Sequence, residues 1–265
     1  MIVTVNVQQI VQTMVSMGVH LGHQRSQQNP KMLPYIYREK DNLQIVDLRQ
    51  THWYLKKAVS FLFRSSSRGK RVLFVGTKKH VAQCIEKTAT DCNSWYINKR
   101  WLGGLLTNWE TMRKTIFQLQ KQEASLSKKE KAQKDRQRKR LLKYLGGVQT
   151  MFNLPDIVII IGQHKEMKAV RECQKLKIPS LTILDTNCDP DLTKFFIPAN
   201  DDSLASITYI LNHLSKAIQE GQQKYEKQKQ KQKQKAQKER QTQKNKRKKR
   251  QNSHRFHRFK KPQKK

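Results

Sequence analysis

Gly76-Thr77-Lys78 follows a β-rich run and precedes a helix-period segment, the place where a strand-to-helix turn can cradle phosphate. The P-loop spelling GxxxxGK[ST] is not completed, and no GxGxxG occurs in the chain. An exposed turn whose Lys78 and Lys79 meet nucleic-acid phosphates fits these residues better. Asp185, Asn187, Asp189 and Asp191 alternate like the first ligands of a calcium loop. Pro190 stands where that loop needs Gly, however, and Phe196 where it needs Glu. Asx-turns account for these side chains with less strain. His20 and His23 have no third metal ligand near in sequence, so they read as loop residues held by hydrogen bonds. Cys188 has a nucleophile's atom but an acidic neighbour, Asp189, which raises a thiol pKa. No GxSxG elbow is present. Catalysis, a metal and a cofactor are all undemanded by these spacings.

The richest stretch for recognition runs from Asn98 to Trp109, NKRWLGGLLTNW. It holds two cations, two indoles and a Gly-Gly that permits close backbone approach. Trp109 reads as packing. Lys99 and Arg100 beside Trp101 read as surface contacts, to phosphates or through cation–π geometry.

The elements that must position these residues alternate in type. β-rich runs occur at residues 43–48, 72–76, 95–98, 157–161 and 181–184. Asp156-Ile157-Val158-Ile159-Ile160-Ile161 is apolar at every position after its first, as in a strand covered on both faces. Helix-period segments lie at 4–17, 51–63, 80–89, 166–176 and 204–218, the last with Asp201, Asp202 and Ser203 available as caps. This alternation predicts a doubly wound parallel α/β sheet with right-handed crossovers. Residues 107–145 break the rhythm. They predict a helical hairpin, 108–124 and 128–144, broken at 125–127, with Ser127 and Glu130 spelling a capping box. Met112, Ile116 and Leu119 on the outward helix and Leu141, Leu142 and Leu145 on the return gather near the body. The hairpin is therefore anchored at its base, and Arg113 to Lys143 carries 12 basic residues against three acidic. A solvated arm and an arm that touches RNA or protein both fit.

Over its 265 residues the chain carries 55 Lys+Arg and 20 Asp+Glu, a formal charge of +35. A hydrophobic fraction of 36% suffices for a core, and no apolar run is long enough to cross a membrane. Four cysteines without a CxxC pair point to a reducing compartment. A positive excess of this size is most readily relieved by a polyanion. It is concentrated at the end: residues 222–265 hold 20 Lys+Arg and two acids, with almost no aliphatic side chains. We expect this tail to lack fixed structure until it meets an anion. Phe256 and Phe259 among its Arg and His residues could stack on exposed bases. A solubility-promoting tail and a nuclear-localisation patch are the other readings of such a run.

Taken together, these stretches resemble the small-subunit ribosomal protein S-two family of bacteria and organelles. The motifs that carry the resemblance are GVHLGHQ at 18–24, NPKMLPYI at 29–36, VGTK at 75–78 and NKRWLGGLLTNWETMR at 98–113. YLGG at 144–147, LPDIVIII at 154–161, IPSLTILDTNCDPDL at 178–192 and IPANDDSLASI at 197–207 complete the set. DTNCDPDL, LPDIVIII and the ANDD block look most like plastid members. The resemblance implies a flavodoxin-like body, residues 1–221, with the projecting hairpin inserted, and a structural role without enzymatic activity. It further implies binding to small-subunit rRNA and to neighbouring small-subunit proteins, including the large S-one-type mRNA-binding protein, with no membrane, cofactor or small-molecule substrate. Gln28 departs from the family's usual Trp, Gly162 from its usual Asp, and the hairpin is shorter than in many relatives. Because family motifs start within the first twenty residues, we expect no removable transit peptide and, for a plastid protein, synthesis inside the plastid from its own genome, with a mitochondrial or bacterial origin as the fallback. Lys31, Lys78, Lys79, Lys99, Arg100, Trp101 and Arg113 are the expected RNA-facing positions. The alternatives are a free-standing nucleic-acid chaperone that acts through the tail, and a nucleotide-binding α/β enzyme.

Overall fold

The computed structural model describes residues 7–120 and 128–258. In chain order the elements are α1 (Val7–Ser16), β1 (Leu21–Gln24), β2 (Ile36–Lys40), β3 (Leu43–Val46), α2 (Leu48–Ser66), β4 (Val72–Val75), α3 (Ala82–Asp91) and β5 (Trp95–Ile97). There follow α4 (Trp109–Gln120), α5 (Lys128–Leu145), β6 (Ile157–Ile161), α6 (Met167–Lys175), β7 (Ser180–Leu184), β8 (Phe195–Pro198) and α7 (Leu204–Arg258). Five strands form a wholly parallel sheet in the order β5-β4-β6-β7-β8. Counted by their own appearance, this is the 2-1-3-4-5 order of a flavodoxin-like sheet.

Strict two-residue alternation divides even the all-apolar β6. Ile157, Ile159 and Ile161 join Val72 and Phe74 against α2, α3 and α7, whereas Val158 and Ile160 join Leu73 and Val75 against α6 and the base of α4 and α5. All five β6 residues are buried, as a sheet covered on both faces requires. The hairpin base belongs to the second layer: Ile116 and Leu145 are buried in it, and Met112, Leu141 and Tyr144 pack on it. The expected break at 125–127, with its Ser127 cap, and the Leu119 side chain lie outside the described residues.

Three strands were not legible as such. β1 and β2 flank β3 in a small antiparallel sheet, β1-β3-β2, and β8 closes one edge of the parallel sheet. β2 and β3 turn at Asp41-Asn42, whose φ values of 51° and 63° suit a tight hairpin reversal. The structure also differs from expectation at the end of the chain. α7 continues through Arg258, although residues 222–258 were expected to have no fixed structure. Lys, Gln, Glu and Arg are good helix formers, and neither Gly nor Pro interrupts them between Gln222 and Arg258. Gly221 marks the last buried position: a Cβ there would lie 2.6 Å from Ser66 Cβ and 2.8 Å from the Phe63 carbonyl oxygen, so α7 crosses α2 where only hydrogen fits. Side chains from Gln223 to Lys235 are exposed; Tyr225 still lies against Gly69 and Lys224 Nζ 5.3 Å from the Phe63 ring centroid, and from Glu226 to Lys235 the helix rests on propensity rather than on packing.

Candidate nucleic-acid interface

The carboxyl ends of β4 and β6 flank the point where the sheet order reverses, which is where open α/β sheets bind ligands. Thr77 donates from its amide to Glu166 Oε1 at 2.9 Å, and its hydroxyl donates to the same oxygen. Lys78 Nζ donates to the Asp201 carbonyl oxygen at 2.8 Å, to Asp201 Oδ1 at 2.7 Å and to Asp202 Oδ1 at 2.8 Å. Gly162, at φ 82°, makes room: a Cβ there would lie 3.0 Å from Lys78 Cε and 3.2 Å from Asp201 Oδ2. Burial works against the Lys78 ammonium, but the charge of Asp201 and its hydrogen bonds outweigh it, and the pKa is raised. Burial also raises Glu166, against the two Thr77 bonds. Lys78 was expected to meet phosphates; its three donors are instead spent inside the fold. An incoming phosphate would face carboxylates here, which disfavours the nucleotide-enzyme reading.

His23 joins the same edge. Its Nδ1 lies 3.1 Å from Asp185 Oδ2 and its Nε2 3.3 Å from Asp202 Oδ2. The hydrogen bond to Asp185 raises its pKa, although burial opposes this, so both nitrogens can hold protons between two acids. Desolvation and the neighbouring Asp185 push Asp201 up to about 6, against Lys78. His23, Asp185, Asp201 and Asp202 have the donor types of a cation site, each with one ligand atom within 4.8 Å of the others. Lys78 and His23 supply positive charge at that spot themselves. The sequence reading missed this cluster because its acids lie more than 160 residues from His23. His20 stays outside it; burial lowers its pKa, and its Nδ1 has no partner among the described residues. Of Asp201, Asp202 and Ser203, read as helix caps, Ser203 serves as the cap of α7: its Oγ accepts from the Ser206 amide at 3.5 Å and its carbonyl oxygen from the Ile207 amide at 3.0 Å, while Asn200 Oδ1 takes the amides of Asp202 and Ser203.

The loop from residue 98 to 108 is built around one carboxylate. Glu172 Oε1 accepts from Trp101 Nε1 at 2.9 Å and from the Gly104 amide at 2.8 Å; Oε2 accepts from the amides of Leu106 and Thr107 at 2.9 and 3.2 Å. Trp101 is therefore not a surface side chain, as its cationic neighbours suggested. It is buried in the layer that holds Leu105, Leu106 and Trp109, because an indole buries a large apolar area once its N–H has a partner. Lys99 and Arg100 do point outward and are exposed. Trp109 packs at the hairpin base as expected, its Nε1 donating to the Phe152 carbonyl oxygen at 3.5 Å.

Lys31 is exposed but bound to Asp189 at 2.9 Å and Asp191 at 2.8 Å, and these two partners raise its pKa. Asp189 Oδ1 also accepts from the Asp191 amide at 3.0 Å, the Asx-turn read from the sequence. Cys188 is buried, its thiol pushed up to about 12 first by burial and then by the charge of Asp201. Lys79 and Arg113 are exposed. Among the described residues none of Lys79, Lys99, Arg100 and Arg113 is ion-paired. Arg113 borders a cleft of about 490 Å³ at the hairpin base, floored by Trp109, Ile116 and Met151 and rimmed by the exposed Phe152.

The sequence model of a family described as ribosomal protein S2 matches residues 14–221. The chain is 51% identical over 227 residues to the small ribosomal subunit protein uS2c of Oltmannsiellopsis viridis, an alignment covering 82% of this chain and 95% of that protein. It is 49% identical to the protein of the same name from Euglena gracilis, again over 82% and 95% of the two chains. To the small ribosomal subunit protein uS2 of Synechococcus sp. (strain JA-3-3Ab) it is 48% identical, over 77% of this chain and 80% of the other. The matched span takes in the whole parallel sheet, the switch-point charge cluster and the Glu172-held loop, and the chain belongs to the ribosomal protein S2 family.

Proposed function

We propose that this protein is a structural constituent of the small ribosomal subunit, in the plastid, where it contacts rRNA and neighbouring ribosomal proteins and performs no catalysis. The observation that carries this reading is the family match across residues 14–221, joined to relatives whose names place them in that subunit. The relatives named uS2c support the plastid assignment. Lys79, Lys99, Arg100 and Arg113 are the cations of the predicted set whose charges are free to meet phosphates. Lys31 shares its charge with two acids and would reach RNA only at the rim. Lys78 and Trp101 act indirectly, by holding the switch point and the 98–108 loop in shape. The apolar cleft beside Arg113 suits a neighbouring protein, and the S-one-type mRNA-binding protein is a partner by resemblance.

Sucrose-gradient sedimentation of a plastid extract tests the reading. The protein should run with intact ribosomes and stay with the small subunit when low magnesium splits the particles. Recovery among free proteins at the top of the gradient would refute it. A chain ending at Gln222 separates this function from that of a tail-driven chaperone, because co-sedimentation survives the truncation only if the body carries the contact.

A further inference from the structure

The outer face of α2 carries cations and no acid: its nineteen residues include no Asp or Glu. Together with the turn after it and with β8, it forms a cleft of about 720 Å³ lined by Trp53, Lys56, Lys57, Phe61, Arg64, Arg68, Lys70 and Phe195. The five cations are exposed, and none has a carboxylate partner among the described residues. This separates them from Lys31 and Lys78, which the fold neutralises internally. The floor is aromatic. Phe61 and Phe195 stack with centroids 4.1 Å apart and planes at 23°. Trp53 is 51% exposed, with Lys57 Nζ only 3.2 Å from its ring centroid.

We propose that this cleft is a binding platform for an unpaired stretch of RNA, with bases against Trp53 and the Phe61–Phe195 stack and phosphates on Lys56, Lys57, Arg64, Arg68 and Lys70. The inference rests on the RNA-contacting role proposed above and assigns that role to a face that none of the motif residues occupy. Unpaired RNA is the occupant because cations alone would suit any polyanion, whereas a half-exposed indole and the partly exposed Phe61–Phe195 pair between them reward flat, unstacked bases. A duplex hides those faces, and an acidic peptide offers none. On binding, the Lys57 ammonium leaves the indole for a phosphate as a base takes its place.

The test uses the full chain and a dodecamer of uridylate. Trp95, Trp101 and Trp109 are each at most 7% exposed, so quenching of tryptophan emission by the oligonucleotide reports Trp53. Quenching should accompany binding in the wild type and disappear in the Lys57→Glu, Arg64→Glu, Arg68→Glu triple variant. These three exposed substitutions leave the core intact, which thermal melting checks. Each phosphate contact to single-stranded nucleic acid contributes ~0.7 to the slope of log affinity against log salt, so the triple variant's slope should be shallower by about 2. The wild-type advantage then shrinks about sixteen-fold between 50 and 200 mM salt. Binding without quenching, an unchanged slope, or equal quenching by an RNA duplex or by polyglutamate overturns the proposal; the polyglutamate result would assign the cleft to acidic protein. Co-sedimentation with small subunits is read separately. Its retention beside a failed quench overturns the cleft alone, and its loss overturns the ribosomal reading.

Discussion

Replacing Glu172 by Ala removes the acceptor of four N–H donors, those of Trp101, Gly104, Leu106 and Thr107. Gly104 and Thr107 are partly exposed, so water can satisfy them in the variant. Trp101 and Leu106 are 6% and 1% exposed, and their donors have no such recourse. A buried donor left without a partner costs about 1–3 kcal/mol, so two of them cost about 2–6 kcal/mol, and we expect a loss near 3–4 kcal/mol. Glu172→Gln does not rescue the site: its amide group supplies one good acceptor and turns an N–H toward two of the donors. For a domain of this size the loss corresponds to a fall in Tm of roughly 6–16 °C at about 2–4 °C per kcal/mol. Urea denaturation followed by near-ultraviolet circular dichroism measures it, since Trp101 and Trp109 sit in the affected layer. A loss below about 1 kcal/mol for Glu172→Ala, with an unchanged m-value, would refute the claim that this carboxylate organises the loop.

Further outcomes follow from the same geometry. Charge reversal at both Lys99 and Arg100 should reduce incorporation into small subunits several-fold while leaving the melting temperature within ~2 °C, since both are exposed; normal incorporation in a competition assay counts against their contact with RNA. Bonding to Asp185 raises the His23 pKa, so its contribution to stability is complete below pH 6.5 and fades as the pH climbs through the folded-state value. The stability gap between wild type and His23→Gln should therefore narrow from pH 6.5 to pH 9, a range above the value of about 6 for Asp201; a gap that is constant or widens contradicts the His23 ion pairs. Burial holds the thiols of Cys92, Cys173 and Cys188 near 12, so a thiol reagent at pH 8 should label only the half-buried Cys84 in the folded protein and all four cysteines in denaturant. Gly147→Ala would drive a Cβ into the Tyr96 carbonyl oxygen, against backbone that cannot yield, and should destabilise by more than about 2 kcal/mol in the same urea assay.

The parallel sheet was readable because its strands are apolar without alternation and stand between helices with a 3.6-residue period. Nothing of that kind marks β2, whose IYREK is exposed from Tyr37 onward, or β1, which is held by backbone pairing to β3 and by Thr186 Oγ1 accepting from the His23 amide. β8 hides because FFIP ends in a proline, tolerated on an edge strand that needs no further donor. The candidate site was legible in part. Lys79, Lys99, Arg100 and Arg113 are outward cations, as their neighbours in sequence implied. Lys78 and Trp101 have the same local surroundings but meet Asp201 and Glu172 across the fold, and no local pattern announces a partner more than seventy residues away. The α2 cleft was missed for a related reason. Trp53, Lys57, Phe61 and Arg64 recur at helical spacing, but no local pattern shows that Phe195 of β8 comes to lie beside them.

At about 1.5 Å per residue, the stretch of α7 from Gln222 to Arg258 spans roughly 55 Å, several body radii of a small domain. Only its first turns, seated by Ile207, Leu211, Leu214 and Ile218, grip the sheet. The far end therefore works as an oar fixed at one rowlock. A displacement of that end is felt first where α7 crosses α2 at Gly221, beside the hydrophobic seam beneath the sheet.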